Sequence, residues 1–220
     1  MVPSLVLALA LTAAAPPPPA PVRQAVARMQ AFYEKAHDLR AAFDQTLVDA
    51  AFHRKLKSSG TLDFEKPGKI RFDYVKPEPK LFVVRGGRIV TYVPAAQQAM
   101  VGSFDADRLS ASVTFLWGRG RWEDEFTITA AKRPGLAPGL ALTLTPRRPD
   151  PRFARLWFVV DPKTYAVKES VVLDGAGNEN RFDFHDVRVN AGLPAGTFDF
   201  APPAGTEIVP MSRQPDRGAR

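Results

Sequence analysis

The sequence predicts an α+β fold that is mainly β: one amphipathic helix, then an antiparallel sheet of about ten or eleven strands that curls or closes on itself. Three observations carry this. Apolar residues recur at helical spacing over residues 22–39, and the period changes to two after that. Turn signals then punctuate the chain at short, regular intervals. No linker, charge block or repeat interrupts residues 22–220, so one domain is expected there.

In the helix, Val22, Val26, Met29, Phe32 or Tyr33, Ala36 and Leu39 share one face. Arg23, Gln24, Arg28, Glu34, Lys35 and Asp38 take the other, and Pro21 sits where a helix start tolerates it. Leu39, Ala41, Phe43, Gln45 and Leu47 then alternate with mostly polar neighbours. So do Gly60, Leu62 and Phe64, and after them Ile70, Phe72 and Tyr74. Further strands are expected over 80–85, 88–93, 126–132, 140–145, 155–160, 166–173 and 180–189. Lys66-Pro67-Gly68, Gly86-Gly87, Asp161-Pro162 and Asp174-Gly175 supply turns between them. Between Gln97 and Gly118 the alternation stops. Residues 105–117 read as one or two short helices, with Leu109, Val113, Leu116 and Trp117 on an apolar side. The tail from Pro202 on is rich in Pro, Gly and Arg, and its end is expected to be mobile.

A 220-residue chain that is 45% hydrophobic, with 15 Phe, supports a real core. It has no Cys, which excludes a disulfide framework, a thiolate metal site, a Cys nucleophile and a lipidated Cys. The net charge of +7 is scattered, and its Arg clusters lack the interleaved aromatics of a nucleic-acid groove. No nucleic-acid partner is expected. The apolar run Leu5–Thr12, followed by Ala13, Ala14 and Ala15, is too short to span a membrane and reads as a secretory signal over 1–15. Residues 16–21 form a Pro-rich leader. The mature domain over 22–220 is expected in the periplasm, as a monomer.

Catalytic and metal-binding patterns are missing. His37, His53 and His185 stand apart, none with a ligand partner at short spacing. Gly118-Arg119-Gly120 and Gly175-Ala176-Gly177 lack the third glycine of a phosphate cradle. Asp174, Asn178 and Asn180 read as a hairpin turn rather than a calcium loop, and Glu123, Asp124 and Glu125 as a solvated loop. No catalytic residue, metal or cofactor is assigned. An esterase or other hydrolase is the weaker option, for want of a nucleophile and a base. What remains is a curved sheet with one apolar face, either filled by side chains or hollowed for an apolar ligand. Periodicity does not separate the two, although small barrels commonly fill.

Three stretches resemble the LolA family, periplasmic carriers of outer-membrane lipoproteins. Residues 39–45 contain Phe43-Asp44-Gln45, like the family's first-strand Phe-x-Gln. Residues 59–74, from Ser59-Gly60-Thr61-Leu62 through Lys66-Pro67-Gly68 to Phe72-Asp73-Tyr74, resemble its Gly-x-Leu, basic-Pro and aromatic run, and the hairpin 83–94 follows. Residues 198–206, Phe-Asp-Phe-Ala-Pro-Pro-Ala-Gly-Thr, resemble its closing Phe-x-Phe-x-Pro-Pro-x-Gly.

The resemblance implies an unclosed barrel with helices as a lid over an apolar cavity. It implies acylated lipoproteins as cargo, received from an inner-membrane ABC lipoprotein-releasing transporter and handed to an outer-membrane acceptor lipoprotein. The acceptor carries a lipidated Cys, so its absence here favours the carrier. A lipid- or peptide-sensing envelope-stress module of the same fold is the alternative, and the single domain counts against it. If alternate residues of the early strands face inward, Leu62, Phe64, Ile70, Phe72, Tyr74, Leu81, Val83 and Ile89 line the cavity. The family's lid-latching Arg corresponds to Lys66, and the lid stretch supplies Val113, Leu116 and Trp117.

Overall fold

The structure, a computed structural model, describes residues 19–104, 116, 121–150 and 153–211. The expected signal over 1–15, the start of the leader, and Val113 and Trp117 of the expected lid lie outside the described residues.

Helix α1 (Ala20–Lys35) begins with Pro21 in its first turn, where a missing N–H removes no hydrogen bond. Val22, Ala25, Val26, Met29 and Tyr33 form its buried face. It ends before the apolar period does, because Ala36 is already extended and Leu39 belongs to the first strand. Asn190 receives that end: its side chain accepts a hydrogen bond from His37 N–H and donates one to the Lys35 carbonyl.

Among the described residues twelve strands follow, in one sheet. They are β1 (Asp38–Asp49), β2 (Arg54–Glu65), β3 (Lys69–Lys76), β4 (Lys80–Arg85), β5 (Arg88–Val93), β6 (Gln98–Ser103), β7 (Phe126–Ala130), β8 (Leu140–Pro146), β9 (Arg155–Val160), β10 (Val167–Leu173), β11 (Glu179–Val189) and β12 (Glu207–Pro210). Their spatial order is β12-β6-β5-β4-β3-β2-β1-β11-β10-β9-β8-β7, which leaves β12 and β7 as edges of an unclosed sheet. All neighbours are antiparallel except β12 on β6. The expected strands are present; β6 and β12 are additions. The chain from Glu207 does not trail off but adds a parallel edge strand. The acidic residues Glu123, Asp124 and Glu125 lie in a short helix, α2 (Trp122–Glu125), rather than in a loop. Asp174 makes the expected hairpin turn, its carboxylate accepting hydrogen bonds from the backbone N–H of Ala176 and Asn178.

Laid flat, β5 and β7 would be about 40 Å apart at the usual strand spacing. Yet Ile89 of β5, Ile128 of β7, Leu142 and Leu144 of β8 and the inner face of α1 join a single buried cluster. The sheet therefore curls around α1, and its concave face is the core.

Two segments cover the convex face. The chain between β7 and β8 lies over β9–β11: the Arg133 guanidinium stacks 4.3 Å from the Trp157 ring, Ala137 N–H donates to Glu169 Oε2, and Arg181 donates to the Gly135 carbonyl. The chain between β11 and β12 crosses β3–β5. Arg71 donates to the Thr197 carbonyl at 3.0 Å, Arg85 pairs with Asp199, and the Phe200 ring lies 5.4 Å from Tyr92. Beneath it runs an ion-pair ladder, with Arg40 bidentate on Asp63 and Arg71 bidentate on Asp73.

Candidate functional site

Cross-strand partners share a face of a sheet, so register decides which side chains look inward. Leu62 pairs with Phe72, Phe64 with Ile70, and Gly60 with Tyr74. Ile70 pairs with Val84 and Phe72 with Phe82, and Val84 in turn with Ile89. Leu62, Phe64, Ile70, Phe72, Tyr74 and Ile89 therefore stand on one face, with Ala41, Phe43, Phe82 and Val84. Leu81 and Val83 do not. They pair with Asp73 and Arg71 and belong to the convex face, under the segment that carries Phe198 and Phe200. This corrects the expected cavity wall. Residues 81–84 are all apolar, so alternation could not tell one face from the other.

Phe43 is the hub of the concave wall. Its ring lies 5.6 Å from Phe72, 5.1 Å from Tyr74 and 5.4 Å from Phe182, all edge-on. Phe182 stacks on Phe184 at 5.7 Å. The far half of the wall comes from Leu142, Leu144, Leu156, Phe158 and Val172. Phe43, Phe158, Phe182 and Phe184 were not among the expected wall residues. The alternation of Phe182 and Phe184 in β11 was visible, but only registration of β11 against β1 joins it to the early strands.

Helix α1 closes the bowl. Met29, Leu62 and Ile70 are 0% exposed and Tyr33, Phe43 and Phe64 1%, so helix and wall pack directly on one another. Leu116, expected in the lid, joins the same cluster at 1% exposure. Tyr74 and Phe82 are only partly buried and pack against its margin.

Besides Asn190, two residues hold the end of α1 by polar contacts. Lys66 Nζ donates to the Tyr33 carbonyl at 2.6 Å and to the Glu34 carbonyl at 3.3 Å. These are last-turn carbonyls, where partial negative charge gathers. The Tyr33 hydroxyl accepts a 2.8 Å hydrogen bond from Val167 N–H. Burial pushes the Tyr33 phenol well above its ordinary pKa, against the lowering effect of that bond, so it stays protonated. Burial also raises Tyr74, to about 12. Along the helix the Arg28 guanidinium lies 5.3 Å from the Tyr165 ring, and Gln30 Oε1 accepts from Trp122 N–H at 3.4 Å.

The wall is almost without polar atoms. Ser170, at 0% exposure between Phe158 and Phe182, has a hydroxyl with no hydrogen-bond partner. Gln45 donates to Asn180 at 2.9 Å. Among the described residues no group of three or more His, Asp or Glu could hold a metal ion, and no helix is long and apolar enough to cross a membrane. His185 faces Asp44 at 3.1 Å on the convex side. Such a wall offers mainly apolar contact.

A family model described as outer membrane lipoprotein carrier protein LolA matches residues 34–201. The chain belongs to the LolA family. The match runs from the last turn of α1 to the segment over the convex face. Among its relatives, an outer-membrane lipoprotein carrier protein of Dechloromonas aromatica is 31% identical over 84% of this chain and 87% of its own length. One from Chromobacterium violaceum is also 31% identical, with the same coverage. A crystal structure of an uncharacterized conserved protein from Thermus thermophilus shares the fold, with a TM-score of 0.54 at 12% identity over 86% of this chain and 98% of that one. The LolA motifs acquire structural reasons here. Gly60 lies where β2 presses on β3. Lys66 reaches the end of α1. Phe198 and Phe200 pin the last segment to the convex face.

Proposed function

We propose that this protein is a periplasmic carrier that shelters the acyl chains of lipoproteins. In this reading it receives them from an inner-membrane ABC transporter and passes them to an outer-membrane acceptor lipoprotein. The reading assigns it no reaction. The observation that carries it is the concave wall: apolar from β3 around to β8, nearly free of polar atoms, and covered by the apolar face of one helix.

The physical need is large. Each CH₂ withdrawn from water is worth about 0.8 kcal/mol, so a chain of roughly 14 carbons costs about 11 kcal/mol to hold exposed. Helix α1 covers the wall, so cargo must displace a cover of the same chemistry. The apolar face of α1, with Val22, Val26, Met29 and Tyr33, is that cover. An acyl chain taking its place exchanges one apolar contact for another, and the net cost reduces to the bonds at the helix end. Lys66, Tyr33 and Asn190 make the helix a lid latched at its C-terminal end. Lys66 presents a single ammonium where a family Arg presents a fork, so this latch is the weaker type.

The test is to purify the mature protein from periplasm and identify bound molecules by mass spectrometry, alongside displacement of a fluorescent fatty-acyl probe by an acylated lipopeptide. Co-purifying acylated lipoproteins and saturable, competed probe binding are expected. An empty protein with no saturable acyl site would overturn the reading.

A further inference from the structure

The β1–β2 hairpin is longer than the sheet needs. Residues Arg54–Ser58 of β2 pair with β1 alone, and β3 joins only from Ser59 onward. On that side the hairpin therefore runs past β3 as an arm with one bare edge, while on the other side β11 accompanies β1 as far as Val48. It is built rather than frayed: the Asp49 carboxylate accepts the Phe52 N–H at 2.9 Å, and Asn178 accepts the Ala50 N–H at 3.0 Å.

Its side chains are wrong for a free surface. Phe52 at the tip is 74% exposed, the largest such exposure for a big apolar residue among the described residues. Leu56 is 53% and its cross-strand partner Leu47 37% exposed. Arg54, Lys55 and Lys57 flank them; within residues 47–58 the one carboxylate is Asp49, engaged at the turn, and the neighbouring Glu179 of β11 is paired with Arg133. Where β3 ends beside Ser59, Val75 is 60% exposed and Lys76 adds another cation.

We infer that this arm docks the protein on an anionic phospholipid surface. An apolar tip with cations just behind it matches an interface in which acyl chains lie beneath phosphate groups: Phe52 enters the apolar layer, while Arg54, Lys55 and Lys57 remain at headgroup depth. Size separates a bilayer from a protein partner. A stable protein interface buries roughly 800 Å² per partner, more than three apolar side chains at one corner of the sheet offer. A bilayer sets no such minimum. The inference does not depend on cargo, so it stands or falls apart from the carrier reading.

The test is sedimentation of the full mature protein with vesicles of phosphatidylcholine, with and without phosphatidylglycerol. Binding should rise with phosphatidylglycerol content and fall with added salt. Phe52→Ser should lower the partition coefficient about tenfold, and Lys55→Glu with Lys57→Glu should remove the phosphatidylglycerol dependence. Both variants should keep wild-type melting and fatty-acyl probe affinity, which shows that the fold is intact. Wild-type protein that fails to sediment with anionic vesicles, or Phe52→Ser binding as well as wild type, overturns the inference. So does an arm-dependent complex with a transporter's periplasmic domain in the absence of any vesicle binding, which would assign the arm to a protein partner.

Discussion

The hydroxyl of Tyr33, in the last turn of α1, accepts a 2.8 Å hydrogen bond from the backbone N–H of Val167 at the start of β10. One helix residue thus ties the far half of the sheet to α1. Tyr33→Phe keeps the ring and strands that N–H in an apolar setting. A buried unsatisfied donor costs about 1–3 kcal/mol, and urea unfolding should show a loss of that size. If α1 is the lid, stopped-flow mixing should also show faster acyl-probe uptake. Unchanged stability would mean that the Val167 N–H finds another partner.

Lys66 holds the same turn from the opposite side. A cation at a helix C-terminus is worth about 0.3–1 kcal/mol when water reaches it, so Lys66→Leu should melt only slightly below wild type. Its effect should appear in exchange: faster probe uptake and altered transfer to the acceptor. Lys66→Arg should preserve or improve transfer, because the planar guanidinium keeps the charge and offers several pre-organised donors to the two carbonyls that the ammonium already bonds. Identical exchange kinetics in Lys66→Leu and wild type would reduce Lys66 to a turn residue.

Glu169 sets a pH dependence on the convex side. Its side chain is 1% exposed; one oxygen accepts the Ala137 N–H, and the other faces Arg181 at 3.3 Å without a hydrogen bond. Burial raises its pKa above the ordinary carboxylate value, against the lowering by Ala137 and Arg181, while Asp183 across the strand adds to the rise. Burial raises Asp183 as well, with Asp44 adding and Arg181 and His185 opposing. A raised native pKa means that the unfolded chain releases these protons first. Stability is therefore highest below about pH 4 as far as these groups are concerned, and falls as pH rises through the native values. Glu169→Gln keeps an acceptor for Ala137 and cannot ionise. Its urea midpoint should fall less than that of wild type between about pH 4 and 7. Parallel profiles would contradict this.

Gly60 is a steric requirement. A Cβ there would lie 2.0 Å from the Asp73 carbonyl oxygen and 3.0 Å from Phe43 Cζ. The clash is with backbone, at a point where the β2–β3 register shifts, so relief requires the strands to part. Gly60→Ala should destabilise by about 1–3 kcal/mol or more and weaken acyl-probe binding by displacing Phe43. A wild-type midpoint would show that the strands separate there without cost.

What the sequence made legible follows from how locally each element is determined. α1 and the strands from β1 to β5 showed in periodicity and turn residues, because each hairpin is specified by its own few residues. β6 was missed: Gln98-Ala99-Met100-Val101-Gly102-Ser103 does not alternate. β12 was missed because it joins by parallel pairing with β6, which no local turn announces. Leu81 and Val83 went to the wrong face for a related reason. A run such as Leu81-Phe82-Val83-Val84 signals burial on both sides, and what covers the second side is the chain around Phe198, far along the sequence. Lys66 was found by resemblance to the family's basic-Pro turn. Tyr33 and Val167, its counterparts in fixing α1, sit in no motif.

The strand order has a kinetic consequence. The sheet is two runs of consecutive hairpins, β1–β6 and β7–β11, meeting at one seam where Phe43 lies opposite Phe184. Pairings inside a run close short loops and form quickly, whereas the seam must close across most of the chain and bears the largest loop entropy. Synthesis delivers β1 long before β11, so the first strand waits with one edge bare until nearly the whole domain has appeared. The bowl cannot exist in either half alone; it is completed by the slowest pairing, and the same event that finishes the fold creates the wall that an acyl chain would meet.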